Sequence, residues 1–164
     1  MVLAAMNKSN STPFLELKIP PPVVALLTAG FIWCAARAVP ALGFILPHRN
    51  MLALALLLAG LSVAISGATA FRRARTTINP LKPETASALV VSGIYQYTRN
   101  PMYLGLILAL LGWVLFLSNA LAFVFLPAFI LYLNRFQIRP EERALAARFG
   151  QEFAAYQAKV RRWL

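Results

Sequence analysis

The run from Met51 to Phe71, MLALALLLAGLSVAISGATAF, contains no charged residue. It matches the ~20 residues that an α-helix needs to cross a ~30 Å hydrocarbon core. A segment of this kind constrains the whole chain, because lipid offers backbone groups no hydrogen-bond partner and only helices or closed barrels satisfy them internally. The rest of the composition agrees: 60% of the residues are hydrophobic and 13% are charged, against about a quarter charged in soluble domains. The net charge of +11 would suit nucleic acid if it were spread over a surface. Instead the basic residues gather at the ends of apolar runs, at Arg72, Arg73 and Arg75 and again from Arg135 to Arg162, as in helices anchored at lipid headgroups. The reading is a single all-α domain, a polytopic membrane helical bundle, with no nucleic-acid partner.

Upstream, residues 20–47 are long enough for a second crossing, with Pro20 to Pro22 at the mouth and Pro40 placed to kink or end the helix. Downstream, Met102 to Asn134 is uncharged but, at 1.5 Å per residue, about 50 Å long as one helix, too long for one crossing. Ser118 and Asn119 favour turns and caps, so two short helices, 102–117 and 120–135, are expected as a tight hairpin. Cys34 reads as a small buried side chain in an apolar run. The polar N-terminus, with Lys8, Ser9, Asn10 and Ser11, does not read as a cleavable signal.

About four spans put both termini on one side. Arg49 lies on the side of the 47–50 loop, whereas Arg72, Arg73, Arg75, Lys82, Arg99, Arg135, Arg139 and the C-terminal basics lie opposite. The positive-inside rule makes the latter side cytoplasmic, and the expected location is the inner membrane of a bacterium. Two segments remain outside the bilayer. Residues 72–100 form a polar linker too long to be a simple connection. From Pro140 to Val160, Leu145, Phe149, Phe153, Tyr156 and Val160 make one apolar helical stripe, so this amphipathic helix should lie on the protein or the membrane surface.

Two clusters carry groups suited to chemistry. In LVVSGIYQYTRNPMYLG, residues 89 to 105, Gly93, Tyr95, Tyr97, Arg99, Asn100, Pro101 and Tyr103 crowd against the start of a membrane helix. Interfacial aromatics, a positive-inside arginine and a first-turn proline would explain them structurally. The second cluster is PEERALAARFG, residues 140 to 150, in which Glu141 and Glu142 open a helix just after a span. Acids there ordinarily complement the helix dipole, yet these are two of only five acidic residues in the chain.

Together, LVVSGIYQYTRNPMYLG, the apolar hairpin and EERALAARFGQEFAAYQAKVRRW resemble the membrane methyltransferase family that includes isoprenylcysteine carboxyl methyltransferase and phosphatidylethanolamine N-methyltransferase. The resemblance covers roughly the C-terminal half. It implies S-adenosylmethionine as methyl donor, held by the linker and the C-terminal helix, with no metal. The positions carried over as cofactor contacts are Ser87, Ala88, Leu89, Val90, Gly93, Tyr95, Asn100, Pro101, Met102, Tyr103, Glu141 and Glu142, with Glu141 weighing more than Glu142. Arg99, Tyr103 and Glu141 would form the catalytic set, and Arg135, Gln137 and Arg139 would lie near the acceptor. Asn100 stands where many members have His, and an amide cannot act as a base near pH 7, which makes this a binding position. The acceptor is expected to be lipidic or small and apolar, met at the membrane face among membrane lipids. A carboxylate, an amine and a thiol all stay open. A reductase-like relative using a nicotinamide dinucleotide and a non-catalytic membrane scaffold are the alternatives.

Overall fold

A computed structural model describes residues 16–76 and 81–164, and its named elements are all helical. Helix α1 is Pro21–Ala38 and α2 is Arg49–Arg73. Helix α3 is Pro101–Leu117, α4 is Phe125–Leu133 and α5 is Arg139–Lys159. Short 3₁₀ turns sit at Pro40–Leu42, Pro83–Thr85, Gly93–Gln96 and Ala120–Val124, and a π-helical turn, Asn134–Ile138, joins α4 to α5.

Among the described residues, three helical segments are long and apolar enough to cross a membrane: Pro21–Ala38, Arg49–Arg73 and the continuous rod Ala120–Lys159. The protein is an integral membrane protein. The rod has 40 residues, about 60 Å of helix and twice the hydrocarbon thickness. Only its apolar first part, 120–138, can therefore cross, while α5, which opens with Arg139, Pro140, Glu141, Glu142 and Arg143, lies outside. With 17 residues, α3 is about 26 Å long, shorter than the ~30 Å hydrocarbon core, and packs along α2 as its shorter apolar partner.

The expected breaks fall where the residues place them. Pro21 and Pro22 occupy the first turn of α1, where a missing N–H costs nothing, and α1 ends before Pro40. Ser118 closes α3 in a left-handed conformation, φ 48° and ψ 51°. Asn119 then caps the next turn, its side chain accepting from Leu121 N, while its Nδ2 donates to Val39 O at 2.9 Å. The hairpin and the end of α1 are thus tied at the same rim. The residues beyond 117 begin in 3₁₀ form before becoming α-helical at Phe125, a detail the apolar pattern does not encode.

Helices α2 and α3 meet through glycine. A Cβ on Gly60 would stand 2.5 Å from Gly105 O, and one on Gly105 would stand 2.5 Å from Gly60 O, so neither position admits a side chain without moving a backbone. Small residues at such seams let helices gain packing energy in lipid, where hydrophobic burial gives no net drive between them. On the other flank α1 packs Val24, Ala25 and Ile32 against Leu110, Val114, Phe129 and Leu133, and Trp113 Nε1 donates to Ala29 O at 3.1 Å. Cys34 is exposed on α1 rather than buried, since the core face of that helix is Val24, Ala25 and Ile32.

A second apolar cluster forms at the basic rim from Ala70, Val90, Tyr95, Phe153, Tyr156 and Val160, with Phe71, Leu145 and Phe149 packed against it. The C-terminal stripe therefore lies on the protein, against the linker and the end of α2. Gly150, at φ 50° and ψ −119°, bends α5 so that its second half can follow that surface.

Candidate functional site

The site begins with two helix starts facing each other. Pro101 fixes the first residue of α3, and the turn it opens brings Tyr103 to face α5. There Tyr103 Oη donates to Glu141 Oε2 at 3.0 Å. The other oxygen of Glu141 accepts no hydrogen bond from the described residues. Burial pushes the Glu141 carboxyl up to about 7; the bond from Tyr103 opposes this and the neighbouring Glu142 charge adds to it. Burial and then the Glu141 charge drive the Tyr95 hydroxyl well above its ordinary value. Tyr156 is pushed up to about 12 by burial, opposed by the Arg99 charge.

Glu142, one residue away, is in a different situation. Its Oε1 accepts from Arg99 Nη2 at 2.8 Å and from Arg162 Nε at 3.2 Å, and its Oε2 accepts from Arg162 Nη2 at 2.6 Å. Arg99 also laces the C-terminal segment into place, Nη1 donating to Gln157 O at 3.1 Å and to Val160 O at 2.8 Å, and its backbone N–H donating to Arg161 O at 3.1 Å. Asn100 Nδ2 donates to Arg162 O at 2.9 Å, and Thr98 Oγ1 donates to the same carbonyl at 3.3 Å. A helix end that would leave carbonyls unsatisfied is thereby closed by the segment just ahead of α3.

Between these parts lies a cleft of about 820 Å³, counting the space at its mouth. Its walls are Phe71 from the end of α2, Pro83, Ala86, Ala88, Leu89, Val90 and Tyr95 from the linker, Met102 and Tyr103 from α3, and Ile138, Glu141, Leu145, Phe153 and Tyr156 from the rod, with Arg99, Asn100 and Glu142 on the tail side. Tyr156 Oη donates to Tyr95 O at 2.7 Å, pinning the linker to α5. Arg148 Nη1 donates to Glu84 O at 3.0 Å, holding the Pro83–Thr85 turn.

Of the positions singled out in the sequence, Ala88, Leu89, Val90, Tyr95, Arg99, Asn100, Met102, Tyr103, Glu141 and Glu142 line this cleft. Three do not. Ser87 is exposed, with its N–H bonded to Thr76 Oγ1 at 2.9 Å. Gly93 is exposed at φ 63°. Pro101 is buried against the α2 backbone at Gly67. The acceptor candidates also stand apart from the cleft. Arg135 pairs with Glu16 at 2.6 Å, Gln137 is fully buried with its Nε2 donating to Ile19 O at 2.6 Å, and Arg139 is exposed. Sequence reasoning missed Phe71, Pro83, Ala86 and Ile138 as walls, and it gave Phe153 and Tyr156 only as part of the stripe that did point to them.

Helices long and apolar enough to cross a membrane, with a cleft at one rim that holds the half-buried Glu141, define a membrane-embedded protein with a concave site at its basic end. The phospholipid methyltransferase family matches residues 48–152, and the chain belongs to that family, which embraces the isoprenylcysteine methyltransferases. It is 38% identical over 82 residues to the protein-S-isoprenylcysteine O-methyltransferase of Saccharomyces cerevisiae, covering 48% of this chain and 33% of the yeast enzyme. With the Schizosaccharomyces pombe enzyme of the same name it shares 39% identity over 75 residues, 44% of this chain and 30% of that one. The chain thus spans about a third of the length of the yeast enzymes it matches. An uncharacterized protein of Haemophilus influenzae is 52% identical over 63 residues, 38% of this chain and all of the relative. No solved structure matches the chain.

Proposed function

We propose that the chain transfers a methyl group from S-adenosylmethionine to a lipidic or small apolar acceptor at the basic rim, which faces the cytoplasm. The observation that carries this reading is Glu141: a half-buried carboxyl with one oxygen held by Tyr103 and the other without a partner among the described residues, in a cleft lined with aromatic residues. The donor set suits that cofactor. The free Glu141 oxygen can accept from a ribose hydroxyl or an amino group. Arg99 Nε, a buried donor with no partner in the structure, can take an acceptor such as a carboxylate. Phe71, Tyr95, Phe153 and Tyr156 offer ring faces to a base or a cation.

When bound, the cofactor supplies a methyl group already activated on a sulfonium. The protein's own work is to bind, orient and exclude water. Tyr103 orients the Glu141 carboxyl; Arg99 and Asn100 hold the tail that closes one wall; Phe71, Met102 and Ile138, at the ends of membrane helices, give the cleft an apolar side from which a lipidic acceptor is met. Methyl transfer from labelled cofactor to membrane lipids and to prenylated or thiol compounds tests the reading. The expected result is saturable binding of S-adenosylmethionine by detergent-purified protein, weakened at least tenfold by Glu141→Gln and transfer to one acceptor class. Absence of binding by the intact, monodisperse chain would overturn it.

A further inference from the structure

Four charged or polar groups outside the first turn of α3 converge on one carboxylate and one tail. Glu142 is flanked by Arg99 and Arg162, with side-chain exposures of 15%, 13% and 32%. Arg162 belongs to the segment after α5, whose Val160 sits in the rim cluster while Trp163 packs against the membrane core. The tail is therefore anchored on both sides of Arg162, and the backbone carbonyl of Arg162 is itself held by Thr98 and Asn100. The guanidinium is held in a fork on Glu142, the geometry that makes such pairs strong and specific. Arg162 lies beyond the 48–152 family match.

We infer that Arg162 is a positioning residue for the cleft: it holds Glu142 against Arg99, so that the Glu142 charge is matched and Glu141 is left as the acid free for a ligand. The charge arithmetic is direct. Around Glu142, Arg99 and Arg162 contribute two positive charges against its one negative. Removing Arg162 takes that sum to zero and leaves Glu142 with one cation instead of two. Removing Arg162 and Glu142 together restores it. The other groups facing Glu141 are Tyr103 from α3, Tyr95 from the linker and Tyr156 from α5, while α2 presents Phe71. None of these changes charge near neutral pH, and the neighbouring charge that acts on Glu141 is that of Glu142, which raises it and which the two arginines hold.

The functional meaning rests on the proposed methyl-donor site, because an ionised Glu141 is the stronger acceptor; the titration itself does not. Infrared titration of the Glu141 carboxyl, assigned as the band lost in Glu141→Gln, reads the effect on the full chain in detergent without any ligand. Arg162→Ala should raise the titration midpoint by about one pH unit, the size of shift a nearby charge produces. Adding Glu142→Gln should bring the midpoint back, and Arg162→Lys should leave it near the starting value. Where Arg162→Ala does not fold, Arg162→Gln keeps a donor for Glu142 and gives the same upward shift. In the enzyme assay, Arg162→Ala should raise KM for S-adenosylmethionine several-fold at neutral pH, recovering in alkaline buffer with kcat little changed. An unchanged midpoint in folded Arg162→Ala, or a double variant as shifted as the single one, overturns the inference and reduces Arg162 to a tail anchor. Failure of the intact chain to bind S-adenosylmethionine overturns the methyl-donor reading and leaves the titration result standing.

Discussion

The membrane bundle and the basic rim hold themselves together by different means. In the bundle, α2 and α3 approach until glycine backbones touch, and polar links such as that from Trp113 to Ala29 are few. At the rim, the linker, α5 and the tail are joined by a network in which Arg99 alone donates to three oxygens through its side chain. The difference follows from the solvent on each side. In lipid, shape is what distinguishes one helix contact from another, whereas at the water boundary a buried charge must find partners or shift its proton affinity. Glu142 finds partners and Glu141 shifts.

The sharpest way to break this comparison is to put a side chain in the glycine seam. Gly60→Leu places atoms where the α3 backbone stands, and overpacking of a well-packed core costs about 1–3 kcal/mol, occasionally more. The expected outcome is loss of monodisperse protein in detergent, read by size-exclusion chromatography. A normal profile with unchanged melting temperature would mean that the α2/α3 contact is less tight than described. At the rim, Arg99→Ala leaves Glu142 and two tail carbonyls short of donors, a change of about 3 kcal/mol for a broken buried pair. Its melting temperature should fall well below that of Glu142→Gln, and Arg99→Lys should recover only part of the loss because an ammonium lacks the planar fork.

Glu141→Gln separates binding from stability. Affinity for S-adenosylmethionine should drop at least tenfold, about 1.4 kcal/mol, with folding kept. The raised carboxyl adds a pH signature. Its proton is bound more tightly in the folded chain than at the ordinary value of 4.5, so folding stability without ligand should decline as pH rises from there to about 7 and then level off. Ligand affinity should rise over the same window, and Glu141→Gln should flatten both slopes in calorimetry and binding assays. The smallest effect belongs to the pair formed by Glu16 with Arg135 and Arg143, whose arginines are 43% and 58% exposed. Although the Glu16 side chain is only 5% exposed, both cations reach water and an amide keeps one acceptor oxygen for them, so Glu16→Gln should cost about 1 kcal/mol, measured by thermal unfolding.

The bundle was legible in the sequence because its signals are local: an uncharged run, a proline, a serine beside an asparagine. Ser118 and Asn119 ended and capped their helices as their chemistry favours. The rim was legible only in part. The pairing of Tyr103 with Glu141 and the cleft between them depend on two segments separated by a hairpin, and the family resemblance, not any spacing, pointed to them. Gly93 and Ser87 look like ligand contacts in a motif but turn outward here, since the 3₁₀ turn at Gly93–Gln96 faces Tyr95 to the cleft instead. The tail was opaque: nothing in VRRWL distinguishes Arg161 from Arg162, and only the fold decides which one reaches Glu142.

The π-helical turn between α4 and α5 bears on how this protein tolerates changes of length. A single wide turn within a helix accommodates one residue more than the α-helix needs while leaving the helix on either side in step. Across Asn134–Ile138, therefore, loss of one residue can be absorbed by tightening to an α-helical turn, with Glu141 still facing Tyr103. The same deletion within α5 would turn everything after it by about 100° and carry Phe153 and Tyr156 off the linker. Chain length at the membrane boundary is thus adjustable at one place in the rod and fixed beyond it, and a one-residue deletion scan from 125 to 156 should find its tolerant window there.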